Sequence, residues 1–300
     1  MPPQTEQISP VSGSQVPTVK IGKFKASKTI VMESWKVMML DKEIMWFPVI
    51  STISTILAIL VIGTIFFMAS AAGLLEATNR PFSDIFAYGL LLIGYTLVYF
   101  VINFFQAGLF FVVQGRFTGQ NLSLKDGINS AQKQINKILL WSLVLATVGL
   151  VLQIIASKSK IIGSIVSSIL GAAWNILTYF SLPALVIGNL DVKESFKESA
   201  NIMKKTWGEA IIVNFGVGLF FGVITFLLIA LSIGIIVLVP TFAVIASVIT
   251  LFVIAIIIMT IISSTLSSIF KLALFDYART GRVPQGFSED IIKNTIKSKN

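Results

Sequence analysis

The sequence predicts an all-α membrane protein whose six transmembrane helices form three repeated hairpins, each preceded by an amphipathic helix on the cytoplasmic surface. Three observations carry that expectation. Hydrophobic residues fill 55% of the 300 positions and charged ones only 12%, whereas soluble domains carry roughly 25% charged residues. The charges are missing from long runs, each near the roughly 20 apolar residues that a bilayer-crossing helix needs. The runs also come in pairs, with a charged amphipathic segment ahead of each pair.

Composition removes several chemistries. The chain has no Cys and no His, so thiolate and imidazole metal ligands, Cys nucleophiles, His general bases and disulfides are excluded. Neither a metal nor a cofactor is expected. A net charge of +9 would suggest nucleic acid in a soluble protein. Here the Lys and Arg residues flank the apolar runs, which points to anionic lipid headgroups as partners and not to nucleic acid.

The elements follow in order. Residues 1–19 are rich in Pro, Ser and Gln without hydrophobic periodicity and read as a disordered tail; the six-helix domain occupies 20–300. Lys20, Lys23, Lys25 and Lys28 lead into a first surface segment with an apolar stripe of Val31, Trp35, Met38 and Met39. Spans are expected at 47–72 and 85–114, separated by a polar loop with Glu76, Arg80 and Pro81. The second surface segment begins at Asn121-Leu122-Ser123-Leu124-Lys125-Asp126, and the third at Asn189-Leu190-Asp191-Val192-Lys193-Glu194, 68 positions later. Ser123 with Asp126, and Asp191 with Glu194, have capping-box spacing. Leu124, Ile128, Ala131, Ile135 and Leu139 match Val192, Phe196, Ser199, Met203 and Trp207 in position and face. Cap, stripe and following span recur in one order, the signature of an internal repeat.

Spans three and four are expected at 138–157 and 161–187. Between Ala210 and Phe270 no residue is charged. That is roughly 90 Å of helix, too long for one crossing of a ~30 Å core. Gly234 and Pro240 are the expected breakers, leaving spans at 211–238 and 242–270. Twenty Lys and Arg residues fall on the side of the surface segments and three on the other. Positive segments stay inside, so a cell-membrane location with both termini cytoplasmic is expected.

No span interior holds an Asp, Glu, Lys, Arg or His, which disfavours proton-coupled transport. Its polar groups are amides and hydroxyls. Asn103, Gln106, Asn175 and Asn214 form the candidate intramembrane polar site; they either line a path for a solute or lipid headgroup or tie helices together. Ser263, Ser264, Thr265, Ser267 and Ser268 add hydroxyls in the sixth span. Gly218 and Gly222 form a small-xxx-small pair that permits close helix approach. Trp35, Ile128, Phe196, Met203 and Trp207 are the candidate anchors of the surface helices, and Trp174, in mid-span, reads as packing. Paired carboxylates such as Glu194 and Glu198 stand among lysines and read as helix-surface pairs, so no enzyme is expected.

Tyr99-Phe100-Val101-Ile102-Asn103-Phe104-Phe105, Thr206-Trp207-Gly208-Glu209 leading to Asn214-Phe215-Gly216, and Gly281-Arg282-Val283-Pro284-Gln285-Gly286-Phe287 resemble stretches of a family of prokaryotic six-helix integral membrane proteins catalogued as a domain of unknown function. The resemblance covers roughly residues 25 to 290. It implies membrane residence and carries no catalytic residue. The plan is distantly similar, too, to the membrane region of some glycerophosphodiester phosphodiesterases, without a counterpart of their catalytic domain. The leading expectation is a non-enzymatic membrane scaffold or organiser; the alternative is a small-solute or lipid permease using the intramembrane amides. A cavity reaching those amides favours the permease, and a dry packed centre the scaffold.

Overall fold

The computed structural model describes residues 23–75, 80–158, 162–205 and 209–289, and all regular structure among them is helical. The helices are α1 Lys23–Leu40, α2 Trp46–Ala71, α3 Arg80–Phe117, α4 Leu124–Lys133, α5 Ile135–Lys158, α6 Ile162–Leu177, α7 Ser181–Val186, α8 Val192–Lys205, α9 Glu209–Leu238 and α10 Phe242–Thr280, with a 3-10 turn at Lys42–Met45. Six of the described segments are long and apolar enough to cross a membrane: Lys42–Ala71, Asp84–Phe117, Ile135–Lys158, Ile162–Val186, Phe220–Leu238 and Phe242–Thr280. The chain is a multi-pass membrane protein. The N-terminal tail, Trp207, the side chain of Asn214 and the last eleven residues lie outside the described residues.

Local chemistry sets the helix ends. At α4 the Ser123 hydroxyl accepts from Asp126 N–H at 3.3 Å, and the Asp126 carboxylate accepts from Ser123 N–H at 2.9 Å. The orphan N–H of Leu124 donates to Glu43 at 2.9 Å, so the turn before α2 helps to start α4. At α10, Thr241 caps the start and Gly281, at φ 69°, ends the helix in the left-handed conformation that costs glycine little. Of the two expected breakers, only the proline breaks: α9 runs through Gly234 to Leu238, and α10 starts two residues after Pro240. A helical glycine costs about 1 kcal/mol, whereas proline costs about 3 because it loses a donor and clashes with the preceding turn.

Pro183 divides the fourth crossing. It has no N–H to give to Tyr179, and its ring crowds that carbonyl, so α6 stops at Leu177 and α7 starts at Ser181. Phe180 N–H, left without a helical acceptor, donates to the Ser199 hydroxyl of α8 at 2.9 Å. The break is thereby satisfied from outside its own helix, as buried backbone requires.

The buried core lies at one end of the bundle. There the C-terminal ends of α3 and α10 and all of α7 meet the starts of α2 and α5, and α1 and α8 close over them. Phe47, Phe110, Ile138, Leu185, Met203 and Phe270 are fully or almost fully buried. Away from this end the six crossings are open to the surroundings: between 0 and 39% of their most apolar windows is buried. In hydrocarbon this costs nothing, because lipid tails are as apolar as leucine.

Polar ties lace the buried end. Arg116 pairs with Asp41 at 2.9 Å and also donates to Asn121. Lys137 donates to the Asn189 and Leu190 carbonyls at 3.1 and 3.4 Å, and Gln134 donates to the Val186 carbonyl at 2.9 Å. Glu33 of α1 accepts from the backbone and hydroxyl of Ser288.

Candidate functional site

The site begins with a serine face. Ser264, Ser267, Ser268 and Lys271 recur on α10 at i, i+3, i+4 and i+7, so the helix turns them to one side. Across from them, α3 contributes Asn103 and Gln106, α5 contributes Trp141 and Leu145, and α6 contributes Asn175. The break before Pro183 brings in Thr178 and Tyr179. Together they line an open cavity of about 390 Å³. Irregular backbone at membrane depth is tolerated where it is buried in protein or lines a cavity, and this break lies against one.

The candidate amides divide by their partners. Asn103 is buried and donates to the Tyr99 carbonyl at 2.7 Å and to the Ser142 hydroxyl at 3.3 Å, which ties α3 to α5. Gln106 reaches Ser268 at 3.4 Å, a long bond that ties α3 to α10. Asn175 is exposed at the cavity wall and makes no hydrogen bond to any described residue.

Lys271 is the functional candidate that sequence reasoning missed, because it was counted as one of the flanking charges. Its ammonium lies 4.5 Å from the centre of the Tyr179 ring, a cation–π contact. No carboxylate lines the cavity, and the ion pairs among described residues are those of Arg116 with Asp41 and Lys137 with Asp191. Asp276, the next acid along α10, accepts from Gln114 at 3.3 Å. The spacing of Lys271 from Ser264, Ser267 and Ser268 was the available signal.

Two further cavities meet the same face. One of about 90 Å³ shares Gln106, Ser264 and Ser268 and reaches Phe47, Pro48 and Ser51. The other, of about 400 Å³, runs between α9 and α10 and shares Ser264 and Ser267. Its α9 wall is Gly218, Phe221, Gly222 and Thr225, facing Ile256, Met259 and Thr260. A Cβ added at Gly218 or Gly222 would meet nothing within 4 Å. Among the described residues, the small-xxx-small pair therefore lines a groove and no neighbouring helix closes on it.

The candidate anchors distribute over the buried end. Met203 is buried, Ile128 and Phe196 are half-buried, and Trp35 is 40% exposed on α1. Phe196 stacks on Trp174 with ring centres 5.7 Å apart, and Trp174 stacks on Trp141 at 6.5 Å. Trp174 thus joins α8 to the cavity wall. The stripe expected over 124–139 is interrupted where α4 ends at Lys133 and α5 restarts at Ile135. Ala131 is buried, while Ile135 and Leu139 are exposed.

Residues 85–286 match a family described as a family of unknown function, DUF6159, and the chain belongs to it. The chain matches no curated protein sequence.

Proposed function

We propose that this member of the family holds a small polar solute or a lipid headgroup within the membrane, as a permease or carrier would, rather than acting only as a scaffold. The observation that carries the reading is the cavity of about 390 Å³ with the Asn175 amide unpaired at its wall. A void that size has room for about a dozen waters at ~30 Å³ each, and it falls in the usual range of small-molecule pockets, roughly 300–1,000 Å³. A helix broken beside a polar site is also how many transporters present backbone and side chains to their substrate. The protein is non-enzymatic in this reading.

The plan that goes with it is three repeated hairpins in the cell membrane, each behind an amphipathic cytoplasmic helix, with both termini cytoplasmic. The support is the count of twenty Lys and Arg on one side against three on the other, together with the matched cap spacing at 123–126 and 191–194 and the apolar positions that follow it, Leu124 and Ile128 against Val192 and Phe196. Lys125, Lys133, Lys193 and Lys197 are exposed and suit anionic headgroups.

The amides supply the test. Asn103→Leu loses its bond to Ser142 and should cost about 0.6 kcal/mol and at most ~2. Asn175→Leu breaks no bond and should leave thermal stability in detergent unchanged while abolishing retention of the molecule that co-purifies with wild type. Native mass spectrometry reads the second quantity. A wild type that retains nothing, with Asn175→Leu less stable, would return the scaffold reading to first place.

A further inference from the structure

We infer that the cavity and the α9–α10 groove form one site for an anionic amphiphile: a phosphate-bearing lipid headgroup beside Lys271, with its acyl chain along Gly218 and Gly222. The inference rests on the cavity reading above and names the ligand class.

Charge comes first. The cavity contains one cation, Lys271, and no carboxylate. Lys271 is half-buried, and among the described residues its partner is the face of Tyr179 rather than a carboxylate, which leaves its charge for a ligand to pair. Asn175 and Ser267 line the same cavity with donors that no described residue takes up, groups that suit phosphate oxygens.

Depth agrees with a headgroup. From Phe242, the first residue of α10, to Lys271 is roughly 44 Å of helix axis at 1.5 Å per residue. A bilayer with its headgroup regions is about 40–45 Å thick. With the turn at Pro240 on one face, Lys271 reaches the phosphate level of the other, the leaflet beside the buried end of the bundle.

Shape supplies the chain. The groove of about 400 Å³ meets the cavity at Ser264 and Ser267 and continues along Phe221, Ile256 and Met259. It has no charged side chain; Phe221, Ile256 and Met259 give it apolar surface beside hydroxyls of Thr and Ser, those of Thr225 and Thr260 bonded back to their own helices, and its two glycines leave room that a Cβ would not fill. A free anion would use the cavity and leave this groove empty. A lipid uses both.

The experiment uses the full chain in nanodiscs of phosphatidylcholine containing phosphatidylglycerol, followed by gentle release and native mass spectrometry of the retained lipid. Wild type should retain phosphatidylglycerol over phosphatidylcholine by at least about tenfold. Lys271→Gln should reduce that preference roughly ten- to a hundredfold, the range for losing a charge-assisted hydrogen bond, and Lys271→Arg should keep most of it. Gly222→Phe, whose Cβ would meet no atom within 4 Å, puts a ring into the groove and should lose phosphatidylglycerol with its melting temperature little changed. If Lys271→Gln fails to fold, Lys271→Arg and Gly222→Phe still decide the question. Sodium phosphate alone should not shift the wild-type melt; a shift that survives Gly222→Phe would mean a soluble anion and overturn the lipid assignment. Equal retention of both lipids by wild type and Lys271→Gln would overturn the charge role and leave the cavity reading standing. No lipid or solute retained in any sample would overturn both.

Discussion

Replacing Ser199 by Ala removes one oxygen atom from the contact between α8 and the broken fourth crossing. That oxygen is the acceptor for Phe180 N–H at 2.9 Å, and both residues are 0% exposed. Neither water nor a helical carbonyl stands ready to replace it. The cost of leaving a buried donor unsatisfied is about 1–3 kcal/mol, and the full burial puts this case in the upper part of that range. The need arises from Pro183, so Pro183→Ala should lessen it. An alanine restores an N–H at 183 and stops crowding the Tyr179 carbonyl, which lets the segment approach a continuous helix in which Phe180 pairs with Ile176. Ser199→Ala should therefore cost less in the Pro183→Ala background, a coupling of about 0.5–3 kcal/mol in a double-mutant cycle. Reversible unfolding in mixed detergent micelles measures the energies, and hydrogen exchange reports the Phe180 amide. A cost under ~0.5 kcal/mol with unchanged exchange, or equal costs in both backgrounds, would refute the account of the break.

The α4 cap should be acid-labile. The Ser123 hydroxyl and backbone N–H hold the Asp126 carboxyl below its ordinary 3.8, so its stabilisation is complete above that value and is lost as pH falls through the lowered folded one. Hydrogen exchange over 124–133 should quicken there in wild type and show no such step in Asp126→Asn; a wild type without the step would remove this cap as the anchor. Topology can be read by cysteine labelling, since the chain has no native Cys. In intact cells an impermeant reagent should modify Val239→Cys and spare Lys125→Cys, both exposed positions; the opposite pattern would invert the orientation.

The six crossings were legible because a bilayer imposes a one-dimensional rule. Every backbone group must bond within its own segment, so a run of about 20 apolar residues reports itself in composition alone. Helix ends with a side-chain reason, such as Ser123 with Asp126, and the proline break at Pro240 were legible for the same cause: the partner is three or four residues away. The one-residue restart at Gln134 left no comparable mark, and the stripe drawn through 135 and 139 ran on past it.

What the amino-acid sequence determined alone was the material: an all-helical chain with membrane-length apolar segments, amides and hydroxyls inside them, and no Cys or His chemistry. Tertiary structure decided how those groups are used. Asn103 and Asn175 have one composition and one environment class in sequence, yet the first bonds Ser142 and the second faces a void. Gly218 and Gly222 have the spacing of a packing motif and line a groove instead. Lys271 looked like one more flanking charge until α10 was seen to turn it toward Tyr179. Period and composition are properties of neighbours along the chain, whereas a cavity is made by residues far apart in it, here from Asn103 to Lys271, and depends on which helix faces the packing leaves uncovered.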